Sequence, residues 1–270
     1  LWAIEGKRAV TNRINTFVRK DWLDKLGLEE PTTRQEFYEM IVAFRDNADT
    51  LLGADADKMI PYSVSFDVGW RAALLIESFI DPDISDYDYY INGFDDRALT
   101  QPGTKEAIRI LNQWYNEGLL WDDFALYSSG DSTEDDMIKA GYVGAFMHNW
   151  DYPYRDGENS IQTNLERIVG PDAKFVVVDC FEDTKGGHNK FITSSAGDRK
   201  IFFPTTNDEP LASMLYLDFI SSPEVIEYLQ IGDEGVTHNK LDDGAVEIIA
   251  ATGDDIQNSG FNIDSTITCN

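Results

Sequence analysis

The sequence predicts an α/β fold. Three observations carry that prediction. Short apolar runs rich in β-branched residues alternate with segments of helical period. The helical segments bring their own start and stop signals. The 270 residues are 42% hydrophobic and 12% aromatic, which is enough for a packed core and too much for a disordered chain.

Residues 1–22 are expected to begin irregularly and then form a short strand, with Ile14, Phe17, Val18 and Trp22 as its apolar positions. A helix follows in PTTRQEFYEMIVAFRDNA. Thr33 and Glu36 stand at capping-box spacing after Pro31, and Phe37, Met40, Ile41 and Phe44 share one face. MIPYSVSF (Met59–Phe66) is expected as a strand, and DVGWRAALLIESF as a helix with Trp70, Ala73, Leu74 and Glu77 at helical spacing. Residues 80–103, rich in Asp, Tyr, Gly and Pro, are expected as loop with a small hairpin. TKEAIRILNQWYNEG puts Ala107, Ile108, Leu111 and Trp114 on one helical face, with Gly118 just past its end. STEDDMIKAG is expected as a short helix with acids in its first turn. Tyr142–Met147, KFVVVDCF and RKIFFPTTN read as buried strands. DEPLASMLYLDFISS then forms a helix with Leu211, Met214, Leu215 and Phe219 on one face, and Pro223 opens another through about Gln230. The stretch 232–270 is Gly/Asp-rich and β-like, and the chain shows no internal repeat.

Charge narrows the function. Lys and Arg number 22 and Asp and Glu 49, for a formal net charge of −27. Such a surface repels phosphate backbones and anionic lipid, so neither a nucleic-acid partner nor a polybasic membrane role is expected. The longest apolar runs, such as Ala72–Ile76, are far shorter than a membrane span. Cys180 and Cys269 lack metal-ligand spacing, and unpaired thiols are expected, with one disulfide between them as the alternative.

Catalytic signatures are weak. His148, His188 and His238 lie in no nucleophile-elbow or HExxH context. Close carboxylate pairs are expected by chance among 49 acids, so paired-carboxylate glycoside hydrolysis stands only as the alternative reading. Asp81, Asp83 and Asp86 alternate like calcium ligands. An EF-hand needs Gly and Glu where Asp86 and Asn92 stand, so that motif fails and a looser calcium site stands only as the alternative; neither a metal nor another cofactor is expected. DTKGGHNK has no phosphate-binding pattern and reads as a tight hairpin turn.

The aromatic residues are more informative. MHNWDYPYRDG places Asn149, Trp150 and Asp151 just after a buried strand, and SFDVGWRA places Phe66, Asp67, Trp70 and Arg71 at a strand-to-helix turn. An aromatic ring covers the apolar C–H face of a sugar, while Asp, Asn and Arg satisfy its hydroxyls. These seven residues are the candidate ligand-binding set, read against core packing as the alternative role for both tryptophans.

Five segments in order then resemble extracellular solute-binding proteins, family 1, of ABC importers: VRKDWLDKLGLEEPTTRQEFYEMIVAF, GTKEAIRILNQWYNEGLL, MIKAGYVGAFMHNW, DEPLASMLYLDFISSPE and LQIGDEGVTH. The resemblance covers most of the chain. It implies a periplasmic-binding-protein type II-like architecture, with two α/β lobes closing on a ligand. On this basis residues 1–20 are expected as a hinge or crossover segment and 21–200 as the second lobe. Residues 201–270 are expected as the return strand, first-lobe helices and C-terminal segment. The family's signal and most of its first lobe are expected to precede Leu1. The resemblance further implies a non-enzymatic receptor that captures a sugar or oligosaccharide and hands it to an ABC permease. It would act outside the cell as a monomer, anchored to the membrane only through an N-terminal lipid absent from this chain. Trp150 resembles the ring that stacks on sugar, and 66–70 a second contact loop.

Overall fold

The computed structural model describes residues 2–6, 14–65, 67–92, 97–127, 131–155, 157–188 and 199–249. In chain order the strands are β1 (Trp2–Gly6), β2 (Ile14–Arg19), β3 (Ile60–Ser63), β4 (Val143–Asn149), β5 (Phe175–Val178), β6 (Arg199–Phe203), β7 (His238–Lys240) and β8 (Val246–Ile248). The α-helices are α1 (Lys20–Leu26), α2 (Arg34–Asp46), α3 (Ala48–Leu52), α4 (Val68–Arg71), α5 (Ala73–Glu77), α6 (Thr104–Asn116), α7 (Thr133–Lys139), α8 (Ile161–Val169), α9 (Pro210–Ile220) and α10 (Pro223–Ile231). The chain divides into two units, residues 11–193 and residues 1–10 with 194–270. Among the described residues no helix is long and apolar enough to cross a membrane.

The 11–193 unit is built on a sheet of order β3-β4-β2-β5. β4 runs parallel to β3 and antiparallel to β2, with Ser63 opposite Phe146 and Phe17 opposite the same residue from the other side. Apolar layers cover both faces. Phe17 and Phe146 pack into one cluster with Ile138, Leu165 and Phe175. Their chain neighbours Val18, Ala145 and Met147 join Trp22, Phe37, Phe44, Leu111 and Trp114 in the other. Neighbouring residues of a strand point to opposite faces, so the same short strands serve both layers. Cys180 is a free, buried thiol in the second cluster, and Cys269 lies outside the described residues.

Local sequence explains the helices. Thr33 and Glu36 form the expected capping box on α2, and Phe37, Met40, Ile41 and Phe44 are all buried. At the end of α6, Gly118 has φ +70°, a left-handed conformation that suits glycine. The Leu119 amide donates to the Trp114 carbonyl (2.9 Å) and the Gly118 amide to the Tyr115 carbonyl (3.0 Å), a Schellman closure. Gly144 is required for close packing instead. A Cβ there would lie 2.6 Å from Phe44 Cδ2 and 2.8 Å from the Pro61 oxygen. Its hydrogen lets α2 lie against β4.

Several expectations are corrected. The irregular start contains a strand: β1 pairs antiparallel with β6, Trp2 opposite Phe203. The helix expected from Val68 onward breaks at Ala72 into α4 and α5. The described part of 80–103 carries helical turns, Tyr87–Asn92 and Arg97–Thr100, in place of a hairpin. The Ser85 hydroxyl caps the first of these by accepting from the Asp88 amide at 3.1 Å. Ile108 is 43% exposed while Ala107, Leu111 and Trp114 are buried, so the buried face of α6 is narrower than its apolar spacing suggests. At the expected 183–190 turn, Asp183 and Gly187 close a loop (Asp183 N to Gly187 O, 2.7 Å), but no strands flank it among the described residues.

In the other unit, β6 is not buried as expected, since Phe202 is 54% exposed. Leu211, Leu215 and Phe219 of α9 also face outward, and β7 and β8 form a small antiparallel hairpin.

Candidate functional site

β3 and β4 are parallel neighbours, so their carboxyl ends emerge side by side within the 11–193 unit. That edge is where open α/β sheets bind ligands. After β3 the chain turns through Ser65 to Asp67, whose carboxylate caps α4 by accepting from the Trp70 amide at 3.1 Å. After β4 the chain turns again, the Tyr152 amide donating to the Asn149 carbonyl at 2.9 Å.

These turns bring rings and charges together. The Trp70 indole meets the His148 ring edge-on at 4.7 Å, and His148 stacks on Tyr152 at 3.2 Å. Arg71 lies over the Trp70 ring and Arg155 over Tyr152, each 4.7 Å from the centroid. The Tyr152 hydroxyl donates to Asp135 at 2.6 Å. Arg71 pairs with Glu134 at 2.8 Å, both side chains being 7% exposed. The Arg71 guanidinium also donates to Ser65 Oγ (3.0 Å) and the Met147 carbonyl (3.3 Å), and Ser63 donates to Glu134 (2.7 Å). Beneath this, the buried Tyr62 hydroxyl donates to the Arg71 carbonyl at 2.9 Å and fixes the turn. The buried charges are thus paired and hydrogen-bonded.

A cavity of about 280 Å³ opens here. Arg71 and Glu134 line it together with Ser65, Ser132, Asp131, Asp135, Tyr152 and the Trp121–Tyr127 pair, whose rings stack at 4.9 Å. Burial, with Arg71 and Arg155 nearby, pushes the His148 imidazole down to about 2, so it stays neutral. Its Nδ1 accepts from the Asn149 amide at 2.7 Å, which leaves the proton on Nε2. Burial, then the bond to Asp135, raises the Tyr152 hydroxyl. Hydrogen bonds from the Thr133 hydroxyl and amide lower Asp131.

The expected residues do not all meet. Arg71 lines the cavity, and Trp70 reaches the end of β4 through His148. Trp150 stands just beyond β4 with its indole 62% exposed, and Asn149 and Asp151 flank it half-buried. Asp67 is exposed and acts as a helix cap. Phe66 lies outside the described residues. Sequence reasoning missed Glu134 and Asp135, read as acids suited to a helix start, and it assigned nothing to Trp121 and Tyr127. His148 and Tyr152 stood in the same aromatic run as Trp150, and that run was the available signal. In the Asp81–Asp86 run, weighed for calcium, Lys185 pairs with Asp81 (3.3 Å) and with Asp83.

No family model matches the chain. It is 26% identical over 259 residues to the polygalacturonan/rhamnogalacturonan-binding protein YtcQ of Bacillus subtilis, covering 90% of this chain and 46% of that protein. It is 27% identical over 179 residues to the fructooligosaccharide ABC transporter substrate-binding protein FusA of Streptococcus pneumoniae, covering 63% of this chain and 31% of that one. The chain thus spans less than half the length of both relatives. Among solved structures, an HMO-binding, ABC-transporter-associated solute-binding protein from Bifidobacterium longum infantis superposes with a TM-score of 0.61 at 20% identity, over 90% of this chain and 50% of that one. In sequence and in fold, the chain is therefore similar to the extracellular solute-binding proteins of ABC importers over about half of their length.

Proposed function

We propose that the full-length protein is a non-catalytic receptor that captures a carbohydrate, most simply an oligosaccharide, and hands it to the permease of an ABC importer. One observation carries this reading: aromatic rings and hydrogen-bonding carboxylates converge at the adjoining carboxyl ends of β3 and β4. A pyranose or furanose needs that pairing, with a ring against its C–H face and acceptors for its hydroxyls. Trp150, Asp151, Asn149, Trp70, Asp67, Phe66 and Arg71 form the contact set on this reading, joined by Tyr152 and Asp135. The names of the relatives support the same ligand class. On this reading the protein works at the cell surface as a lipid-tethered monomer.

The hydrolase alternative finds less support. Two carboxyls must be available to the glycosidic bond. Here Glu134 is ion-paired with Arg71 and bonded by Ser63, and the hydrogen bonds from Thr133 hold Asp131 below the usual carboxylate range, the opposite of what a general acid needs.

Calorimetry and thermal shift of the full-length protein against an oligosaccharide panel test the proposal. A ligand at 100 times its Kd is expected to stabilise the protein by about 2.7 kcal/mol, with no product released. A shift with peptides and none with any saccharide would reject the ligand class.

A further inference from the structure

We propose that the cavity accepts an uncharged glycosyl unit and turns away uronates, with Asp131 and Asp135 setting that preference; this rests on the carbohydrate reading above. Charge at the cavity wall is the basis. Among the described residues lining the cavity, the carboxylates are Asp131, Glu134 and Asp135 and the cation is Arg71. Arg71 is already engaged, through the Glu134 pair at 2.8 Å, the bonds to Ser65 and the Met147 carbonyl, and its contact with the Trp70 ring. Arg155 lies over Tyr152 and is not among the lining residues. Among the described lining residues, no guanidinium is left to receive a carboxylate in the two-pronged manner that recognises one.

Asp131 and Asp135 are placed differently. Asp131 accepts from the Thr133 amide at 2.8 Å and Asp135 from the Tyr152 hydroxyl at 2.6 Å. A carboxylate offers about four lone-pair positions, so both retain acceptor capacity for sugar hydroxyls. A hydroxyl donating to them makes a charge-assisted bond, whereas a uronate brings a like charge. At about 6 Å and an intermediate effective dielectric, that repulsion amounts to about a tenfold loss of affinity for each pairing. The chain's net charge of −27 works in the same direction. The preference sets this protein apart from its relative named for polygalacturonan, an acidic polymer.

The test is calorimetry of the full-length protein against neutral probes (kestose, galactotriose, chitotriose) and acidic probes (trigalacturonate, trimannuronate), at low and raised ionic strength. The bound compounds are expected among the neutral probes, with every uronate at least about tenfold weaker at low salt. Salt should narrow the gap, as should Asp131→Asn and Asp135→Asn, which keep an acceptor oxygen in place. A uronate that binds as tightly as the best neutral probe overturns the proposal without any variant being made. So does a gap that neither variant changes. Binding of nothing from either panel instead removes the carbohydrate reading, and the preference with it.

Discussion

Trp150 and His148 sit two residues apart and serve opposite ends. The Trp150 indole is 62% exposed, so truncating it removes little from the core. Trp150→Ala is expected to change unfolding free energy by no more than about 0.5 kcal/mol. It should weaken saccharide binding about tenfold, read by calorimetry alongside urea melts. His148 is enclosed between Trp70 and Tyr152 and held neutral. Its folded-state value of about 2 lies below the unfolded value of about 6.5, so between those limits the unfolded chain binds the proton and the folded chain does not. Stability contributed by neutral His148 is therefore complete above about pH 6.5 and declines as the pH falls, by up to about 1.4 kcal/mol per unit. Urea melts between about pH 7.5 and 5 should show that slope, and His148→Gln should flatten it. The legibility of these residues follows from their chemistry. A tryptophan in a polar run at a strand end stands out, whereas Glu134 and Asp135 look like any acids at a helix start. Only the fold shows that one meets Arg71 and the other Tyr152.

At the scale of elements, α4 and α7 are joined through Arg71 and Glu134. Arg71→Met leaves Glu134 buried without its partner, and a loss of about 3–5 kcal/mol is expected. Arg71→Met combined with Glu134→Leu should recover most of it, which denaturant melts of the three variants would measure. The contact of β4 with α2 depends on Gly144, where an added methyl would meet Phe44, Pro61 and Trp22. Gly144→Ala should cost about 2 kcal/mol and lower the melting temperature accordingly. Helix α2 was legible through its capping box and apolar face, and α6 through its apolar spacing and the Gly118 stop, all lying within a few turns of chain. β1 was not, because WAIEG becomes a strand through pairing with 199–203, far away in sequence. The turns at 87–92 and 97–100 were hidden by an Asp- and Gly-rich composition that resembles a loop, although Ser85 supplies a local cap.

For the whole molecule, the excess of acids dominates solution behaviour. A net charge of −27 opposes compaction, so raising ionic strength at neutral pH is expected to raise the melting temperature until the repulsion is screened. Calorimetric scans over a salt series that show no rise, or a fall, would contradict this. The alternation of strands and helices pointed to the α/β class directly. The division into 11–193 and 1–10 with 194–270 depends on pairing between distant segments, to which residue periodicity is blind. The placement of the tryptophans carries a practical consequence. Trp22, Trp114 and Trp121 are buried and Trp70 is half-buried, leaving Trp150 as the indole most open to water among the described side chains. Its emission should form the red shoulder of the intrinsic fluorescence and be the first quenched by iodide. On the proposed reading, a sugar ring settling on it would shift that shoulder to the blue, an optical gauge of occupancy that needs no added dye.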